Sequence, residues 1–538
     1  MQFRWFAAVA VMILGSSFAS AQPKDTGPTV EIRLRSVNDL VDKFEYVAGL
    51  VGKEDAVTQV RELIKVLSAE GKGIEGLDPK KPIGAYATLV KEVQTSPFVV
   101  MIPVADEEQV LKALKKHLDV APEKNDDGTL KVAVPIINEL NLRFIHGYLY
   151  VSPKAKDLDP KALITPKVYF AKDDGSVVSL IVHIDRIPAE LRTFALGQFE
   201  LGIKEQQKKN PEKENPFEKR GRILATDMML GGVKSLVEDG KELSVKLFID
   251  SKTNELSAEV TLTAKSGSPT AKKFTALGSR TSLPAGIVGG VESPAVHGSV
   301  KIAVPDTMKK EYVATIDDLL ADAVKKAKPE QEEIVKQLVD AIAPSLKAGE
   351  LDFAAALTAP DAKGRHQFIA ALSVEDGKKI EKFIRDISGF AGGAADFTFD
   401  IEKIGDFSLH RVDLSNTDDK FEKLFGTKSI WFAFSDKTLA VSIEPQGALI
   451  RKGLKAKAVS VPVASVDVAV AKLLPLIQPD LKPDELKALV KDAFGDGSTT
   501  GKDTVSFRVE GGDKLTVKLK AKSQIVRLGV GLDLLKGK

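Results

Sequence analysis

The chain has 538 residues, of which 43% are hydrophobic and 28% are charged, a composition with ample apolar material for the cores of roughly two to four domains. Lys and Arg number 77 and Asp and Glu number 75, so the chain lacks the global field that would favour nucleic acid or an anionic membrane. The absence of cysteine excludes disulfides, thiolate metal sites and cysteine nucleophiles.

Residues 1–21 have the pattern of a cleavable secretory signal peptide. Arg4 supplies the positive charge, residues 5–14 form an apolar run, and Ala19-Ser20-Ala21 is a small-residue cleavage site. The run is shorter than the roughly 20 apolar residues that a membrane-spanning helix needs. We therefore predict cleavage between Ala21 and Gln22, a secreted or periplasmic location, and no transmembrane segment in the mature chain.

The first half of the mature chain, residues 22–284, mixes strands with helices. Polar and apolar residues alternate from Val30 to Arg35, which predicts a half-buried strand, and Ser36 is placed to cap the next helix. The patterns that follow predict a second helix over 57–67, strands at 83–89, 130–134, 142–145 and 148–152, a hairpin over 167–186, helices at 189–204 and 223–239, and strands at 243–249 and 256–264.

One stretch of the first half, Ser96–Leu114, recurs without gaps at residues 366–384. Phe98 corresponds to Phe368, and Asp106 corresponds to Asp376, at a constant offset of 270. In each copy an apolar strand ends before the Asp, and apolar residues at helical spacing follow it. We predict that both Asp residues cap helix N-termini rather than act as catalytic acids.

Other segments recur in the same order. Val300–Val304 resembles residues 30–34 at the same offset, and Thr438–Ser442 resembles residues 148–152 at an offset of 290. We therefore predict an α+β protein with two tandem, internally duplicated halves, each a mostly antiparallel sheet packed with about four helices. The second half would span residues 298–538, and the turn-rich residues 285–297 would form a linker. Alternation along the strands implies that one face of each sheet is covered, while the other is wet or faces the other half.

The sequence contains no recognised catalytic motif of the H-E-x-x-H, G-x-S-x-G or C-x-x-C type. His183 and Asp185 would share one face of a strand as a base and its orienting acid, although an outward polar face explains them more simply. His410 and Asp413, at odd spacing, would lie on opposite faces. The acids at 126–127 and 173–174 precede glycines and are typical of hairpin turns rather than calcium loops. We predict no catalytic, cofactor-binding or metal-binding residue.

Two motifs of the first half carry a family resemblance. Lys81-Pro82-Ile83-Gly84-Ala85-Tyr86 and Ile102-Pro103-Val104-Ala105-Asp106 resemble segments of large secreted proteins of unknown function from planctomycete-type bacteria. The second half departs from both motifs, with Ser373 in place of Pro103 and no Lys-Pro-Ile-Gly. The resemblance covers much of the mature chain and implies no activity, cofactor or site residue.

These observations favour a non-catalytic protein with a binding or scaffold role in the cell envelope. A curved sheet covered by helices would hold an apolar ligand, and another envelope protein is the alternative partner. The alternative function is an envelope hydrolase with an unrecognised active site. We expect no cofactor and no nucleic-acid partner.

Overall fold

The computed structural model describes residues 27–52, 58–59, 76–118, 122–134, 138–172, 174–208, 216–389, 393–478 and 481–536. The predicted signal peptide and its cleavage site lie outside these residues. So does the helix predicted over residues 57–67, except for residues 58 and 59, which are helical.

The chain divides into two compact units. Unit 1 consists of residues 1–198, 237–265 and 522–538, and unit 2 consists of residues 199–236 and 266–521. The units therefore do not coincide with the predicted halves at 22–284 and 298–538. Each half supplies most of one unit, but the end of the chain belongs to unit 1.

The described part of unit 1 contains one antiparallel sheet of ten strands. The strands are β1 (Val30–Ser36), β2 (Pro82–Ala87), β3 (Phe98–Pro103), β4 (Glu123–Lys124), β5 (Leu130–Val134), β6 (Asn138–Ile145), β7 (Tyr148–Ser152), β8 (Val178–His183), β9 (Gly240–Asp250) and β10 (Glu255–Ala264). Their order across the sheet is β10-β9-β8-β1-β2-β3-β7-β6-β5-β4.

The described part of unit 2 also contains an antiparallel sheet of ten strands, together with a separate two-stranded pair. The strands are β11 (Thr281–Ser282), β12 (Pro294–Ala303), β13 (Glu350–Thr358), β14 (Phe368–Ser373), β15 (Ala395–Ile404), β16 (Phe407–Leu414), β17 (Ser429–Phe434), β18 (Thr438–Ile443), β19 (Val459–Ser460), β20 (Ala464–Ala469), β21 (Thr504–Glu510) and β22 (Lys514–Lys522). The main order is β22-β21-β20-β12-β13-β14-β18-β17-β16-β15, and β11 pairs with β19.

Fifteen α-helices occur among the described residues, and the α+β class is confirmed. They are α1 (Val37–Leu50), α2 (Glu107–Leu118), α3 (Pro166–Tyr169), α4 (Ala189–Lys208), α5 (Pro216–Asp239), α6 (Pro269–Gly278), α7 (Leu283–Val288), α8 (Lys309–Lys326), α9 (Glu332–Ala348), α10 (Gly377–Ser388), α11 (Asp419–Phe425), α12 (Ala448–Gly453), α13 (Val470–Ile477), α14 (Pro483–Phe494) and α15 (Gln524–Lys536). In the part of the chain that the structure describes, none of these helices combines the length and apolar character needed to cross a membrane.

The strand orders of the two sheets are the same, strand for strand. The pairing registers also agree at the centre of each sheet. Ala87 faces Phe98 as Leu357 faces Phe368, which is the offset of 270 read from the sequence. On the next ladder Tyr148 and Thr438 occupy matching positions, in agreement with the predicted offset of 290.

The register of β1 differs from the sequence alignment by four residues. Val30 faces Ala87, whereas Leu357, which corresponds to Ala87, faces Val296. The residue that corresponds to Val30 is therefore Val296 rather than Val300. A slip of four keeps the same side chains on the same face, so the polar and apolar alternation could not reveal it.

Strand β3 has packed side chains on both faces within unit 1, whereas the alternation predicted one covered face and a second face that is wet or meets the other half. On β3, Val99 and Met101 pack with Tyr150, while Ile102 on the opposite face packs in a second cluster with Val110 of α2. The unbroken apolar sequence of this strand fits contacts on both faces, although Val99 and Met101 are more deeply buried than Ile102.

The two predicted helix caps are confirmed. A carboxylate oxygen of Asp106 accepts a hydrogen bond from the backbone of Gln109 at 3.1 Å, and one of Asp376 accepts from Lys379 at 3.0 Å. Ser36 caps α1 in the same way, by accepting from the backbone of Asp39.

Two other segments differ from their predictions. Residues 285–297 are not an exposed linker, because α7 buries Ile287 and Val288 and the strand β12 begins at Pro294. The hairpin predicted over residues 167–186 has only its second strand, since residues 166–169 form the helical turn α3. In both places a proline at the start of a helix looks like a turn signal in the sequence.

Candidate functional site

A pocket of about 350 Å³ opens in unit 1 beside the end of β1. Its walls come from β1 and the start of α1, from the turn before β2, and from the segment that joins α3 to β8. A volume of this size suits a small molecule. The charged lining residues are four cations and two carboxylates, namely Arg33, Arg35, Lys80, Lys172, Asp39 and Asp174.

Two of the cations come from β1, where successive side chains alternate between the sheet faces. Arg33 therefore lies on the same face as Glu31, while Ile32 and Leu34 lie on the other. The ladder to β2 then shifts between Leu34 and Ser36. Such a bulge re-aims the inserted residue, and here it brings Arg35 to the pocket wall.

Arg33 is held in place by its neighbours. One terminal nitrogen donates to a carboxylate oxygen of Glu31 at 2.6 Å, and the guanidinium carbon lies 5.1 Å from the ring centroid of Tyr169. Tyr169 is itself fixed, because its hydroxyl donates to the carbonyl oxygen of Ala85 at 2.7 Å and its ring packs against Gly84. Because the Arg33 side chain is already ordered, it loses little conformational entropy when it binds a ligand.

Arg35 is also held in place at the pocket. Its Nε donates to the carbonyl oxygen of Ser176 at 3.2 Å, and its Nη1 lies 4.0 Å from a carboxylate oxygen of Asp39. Asp39 also accepts from the hydroxyl of Ser36 at 3.0 Å, so this carboxylate is shared between the helix cap and the arginine.

The remaining charges leave the pocket cationic. Asp174 is engaged by Lys246, whose Nζ lies 2.7 Å from the carboxylate. Burial would raise the pKa of Asp174, but hydrogen bonds from Lys246 and Ser176 outweigh it and hold the pKa at about 2. Among the described residues, neither Lys80 nor Lys172 forms an ion pair. The lining therefore carries more positive than negative charge at neutral pH.

His183, Glu31 and Glu242 form a charge network next to Arg33. His183 Nε2 lies 2.7 Å from Glu31 Oε1, and His183 Nδ1 lies 3.5 Å from a carboxylate oxygen of Glu242. Burial would raise the pKa of Glu31, but hydrogen bonds from His183 and Arg33 outweigh it and lower the pKa. The acid beside His183 is therefore Glu31 from β1. Asp185, the partner considered from the sequence, lies in the 3₁₀ turn that follows β8.

Unit 2 contains the one group of potential metal ligands found among the described residues, formed by Glu381, Asp400 and His410. His410 Nδ1 accepts a hydrogen bond from the backbone N–H of Asp400 at 2.9 Å, so the proton of the neutral ring sits on Nε2. A metal needs a ring nitrogen without a proton. In addition, an Arg385 nitrogen already lies 2.6 Å from both carboxylates, so these residues do not fit a metal site.

The other acids considered from the sequence have structural roles. Asp127 accepts from the backbone and hydroxyl of Thr129 within its turn. Asp413 accepts a hydrogen bond from the hydroxyl of Ser429 and forms an ion pair with Arg411. At odd spacing on β16, it lies on the face opposite His410. Asp173 lies outside the described residues.

Sequence reasoning did not identify the basic pocket. The alternation of Glu31, Arg33 and Arg35 marks a charged strand face, which is the one signal available in the sequence. Lys80 and Lys172 come from distant segments, and nothing in their local sequence indicates that they meet at this face.

The chain matches no protein-family model, and no curated protein or solved structure matches it.

Proposed function

We propose that the chain is a non-catalytic binding protein of the cell envelope, and that unit 1 binds a small anionic molecule in the basic pocket. The excess of cations in the pocket carries this proposal. Asp174 is engaged by Lys246, and within the described part of the chain Lys80 and Lys172 have no ion-pair partner. A bound anion would compensate these charges at a site where two arginines are already held in place.

The proposed location rests on the N-terminal sequence. Residues 1–21 have the order of charge, apolar run and small-residue site that directs secretion. A chain without cysteine folds in the periplasm or outside the cell without disulfide chemistry, through core burial alone.

We further propose that the two halves of the chain arose by internal duplication. The support is the common strand order of the two ten-stranded sheets and the shared register around Phe98 and Phe368. The paired caps Asp106 and Asp376 add a third point of agreement. On this proposal, corresponding positions of the two units can be compared residue by residue.

Anion binding is tested by calorimetry and thermal denaturation with acetate, succinate, phosphate and sulfate at matched ionic strength. We expect at least one of these anions to bind the wild-type protein and to raise the midpoint temperature of its thermal unfolding. The double variant Lys80→Gln with Lys172→Gln should lose that effect, whereas Lys112→Gln, on the exposed face of α2, should keep it. Equal anion responses in all three proteins would refute the site.

A second candidate function is the binding of an apolar ligand, as predicted from the sequence. A groove of about 480 Å³ between α13 and α14 of unit 2 is lined by Leu474, Pro475, Leu486 and Val490. An apolar groove of this size suits an acyl chain. Displacement of a fluorescent fatty-acid probe from the wild-type protein, and its loss in Val490→Asp, would support this candidate.

The hydrolase alternative has no comparable structural support. Two of the three serines that line the basic pocket donate hydrogen bonds to neighbouring carboxylates, Ser36 to Asp39 and Ser176 to Asp174. Turnover of ester, amide or phosphoester substrates by the secreted protein would favour this alternative.

A further inference from the structure

Unit 2 contains an internal carboxylate pair at the place that corresponds to the pocket of unit 1. Lys301 on β12 faces Asp352 on β13, and its Nζ lies 2.8 Å from Asp352 and 3.1 Å from Glu350. Asp352 is 2% exposed, and its second oxygen accepts from the hydroxyl of Ser282. In unit 2 a cation at the end of the first strand is thus satisfied by two carboxylates of the same unit.

The pairing registers identify the corresponding residues of unit 1. Leu34 faces Ile83 in unit 1 as Val300 faces Phe353 in unit 2. Beyond this pair the ladder of unit 1 shifts, so Arg35 and Ser36 together take the place opposite Pro82 that Lys301 alone has opposite Asp352. On β2 and the turn before it, Pro82 corresponds to Asp352 and Lys80 corresponds to Glu350, by the shared offset of 270.

The exchange of residues reverses the charge at this place. Where unit 2 has two acids beside one cation, unit 1 has a proline and a further lysine beside an arginine. Pro82 has no side-chain acceptor, and it lines the pocket together with residues of β1. The two carboxylates that contact Lys301 in unit 2 therefore have no counterpart at positions 80 and 82 of unit 1, where the acid near Arg35 is Asp39 of α1 at 4.0 Å.

From this comparison we propose that the pocket of unit 1 binds a small dicarboxylate. Its two carboxylates take the places of the Asp352 and Glu350 side chains of unit 2. This inference rests on the proposed anion-binding function and names the class of anion. Planar carboxylates suit the forked donors of Arg33 and Arg35, and the second carboxylate reaches the lysines.

The size and lining of the pocket limit the rest of the ligand. A cavity of about 350 Å³ accommodates a short carbon chain between the two acid groups. Phe170 and Pro82 provide an apolar wall for such a chain, and Phe170 is held by stacking on Tyr148 at a centroid distance of 5.9 Å.

The deciding experiment transfers the acids of unit 2 into unit 1. Succinate, acetate, phosphate and sulfate are titrated into the wild-type chain and into the double variant Lys80→Glu with Pro82→Asp. We expect succinate to bind the wild type at least tenfold more tightly than the other three anions. The double variant should lose succinate affinity by at least tenfold, because its own carboxylates then occupy the site.

A matched control separates the local effect from net charge. Gln109→Glu with Lys112→Glu makes the same change in charge at two exposed positions of α2 in the same unit, and it should keep succinate affinity within about twofold. If Lys80→Glu with Pro82→Asp fails to fold, as judged by circular dichroism, Lys80→Gln with Lys172→Gln serves as the second variant and should give the same loss.

The outcomes distinguish the two proposals. Binding of phosphate or sulfate as tight as that of succinate, lost in the pocket variants, would overturn the dicarboxylate and leave the anion site. The absence of any anion binding to the wild type would overturn both. Succinate binding that survives the pocket variants would place the ligand elsewhere and overturn this inference.

Discussion

The guanidinium group of Arg33 lies over the ring of Tyr169, with 5.1 Å between the guanidinium carbon and the ring centroid. The same tyrosine donates a hydrogen bond to the Ala85 carbonyl oxygen. Tyr169 therefore links the sheet to the pocket, because its hydroxyl is bonded to β2 and its ring face contacts Arg33 of the pocket.

The two contacts of Tyr169 can be separated by substitution. Tyr169→Phe keeps the ring under Arg33 and removes the buried hydroxyl, so we expect a loss of about 1–2 kcal/mol in the free energy of unfolding with little change in anion affinity. Tyr169→Leu also removes the ring and should weaken anion binding several-fold. Urea denaturation and calorimetry on both variants provide the two measurements. Equal anion affinity in Phe and Leu variants would show that the ring does not position Arg33.

The caps of α2 and α10 should contribute similarly to stability. Asp106→Ala and Asp376→Ala each leave helix N–H groups without an acceptor, and each should lower the free energy of unfolding by about 1 kcal/mol. Asp→Ser at either position should recover most of the loss. Amide hydrogen exchange should show faster exchange at Gln109 in the first variant and at Lys379 in the second. Unchanged exchange at these amides would contradict the cap assignment.

The ion pair between Lys301 and Asp352 gives a test on unit 2. Asp352→Ala removes a buried partner of Lys301 and of the Ser282 hydroxyl, and should cost about 2–3 kcal/mol of the free energy of unfolding. If the cavity left behind accepts a free carboxylate, acetate should restore part of this stability, whereas chloride at equal ionic strength should not. Identical responses to the two salts would count against a carboxylate-shaped site.

The buried ring of His410 predicts lower stability in mild acid. Burial lowers its pKa, against the opposing effect of Glu381, so the folded ring stays neutral where an unfolded histidine takes up a proton. Unfolding then binds a proton, and stability falls as the pH drops through the unfolded pKa of about 6.5. Burial also lowers the pKa of His297, which contributes in the same direction.

Unit 1 suggests the control for this pH effect, because Leu130 occupies the position that corresponds to His410. His410→Leu should reduce the loss of stability between pH 7 and pH 5, measured by urea denaturation at each pH. An unchanged pH dependence in this variant would show that His410 is not responsible.

The fold was predictable wherever a local pattern had one structural solution. The gapless match of Phe98 with Phe368 agrees with the ladders, in which the two residues have matching positions, and Asp106 and Asp376 are recognisable as caps from the apolar spacing after them. Val30 was aligned with Val300 instead of Val296, because a period of two residues looks the same after a shift of four. The three-residue apolar run at 168–170 was too short to separate a strand from a helical turn.

The pocket could not be predicted from a local pattern, because its lining comes from segments that are far apart in the sequence. Arg33 and Arg35 could be placed on a charged strand, but Lys80 and Lys172 join them only through the tertiary fold. That Pro82 stands where unit 2 has the acid Asp352 can be seen only from the strand pairing of the two sheets.

The distribution of aromatic residues gives each unit its own optical signal. The chain has two tryptophans, Trp5 in the predicted signal peptide and Trp431, which is buried in unit 2 and whose indole N–H donates to the Glu444 carbonyl oxygen. Five of the six tyrosines belong to unit 1, and Tyr86, Tyr148, Tyr150 and Tyr169 share one of its cores. In a chain that starts at Gln22, tryptophan fluorescence therefore follows unit 2, while near-ultraviolet tyrosine absorbance mainly follows unit 1, so the unfolding of each unit is readable without a label.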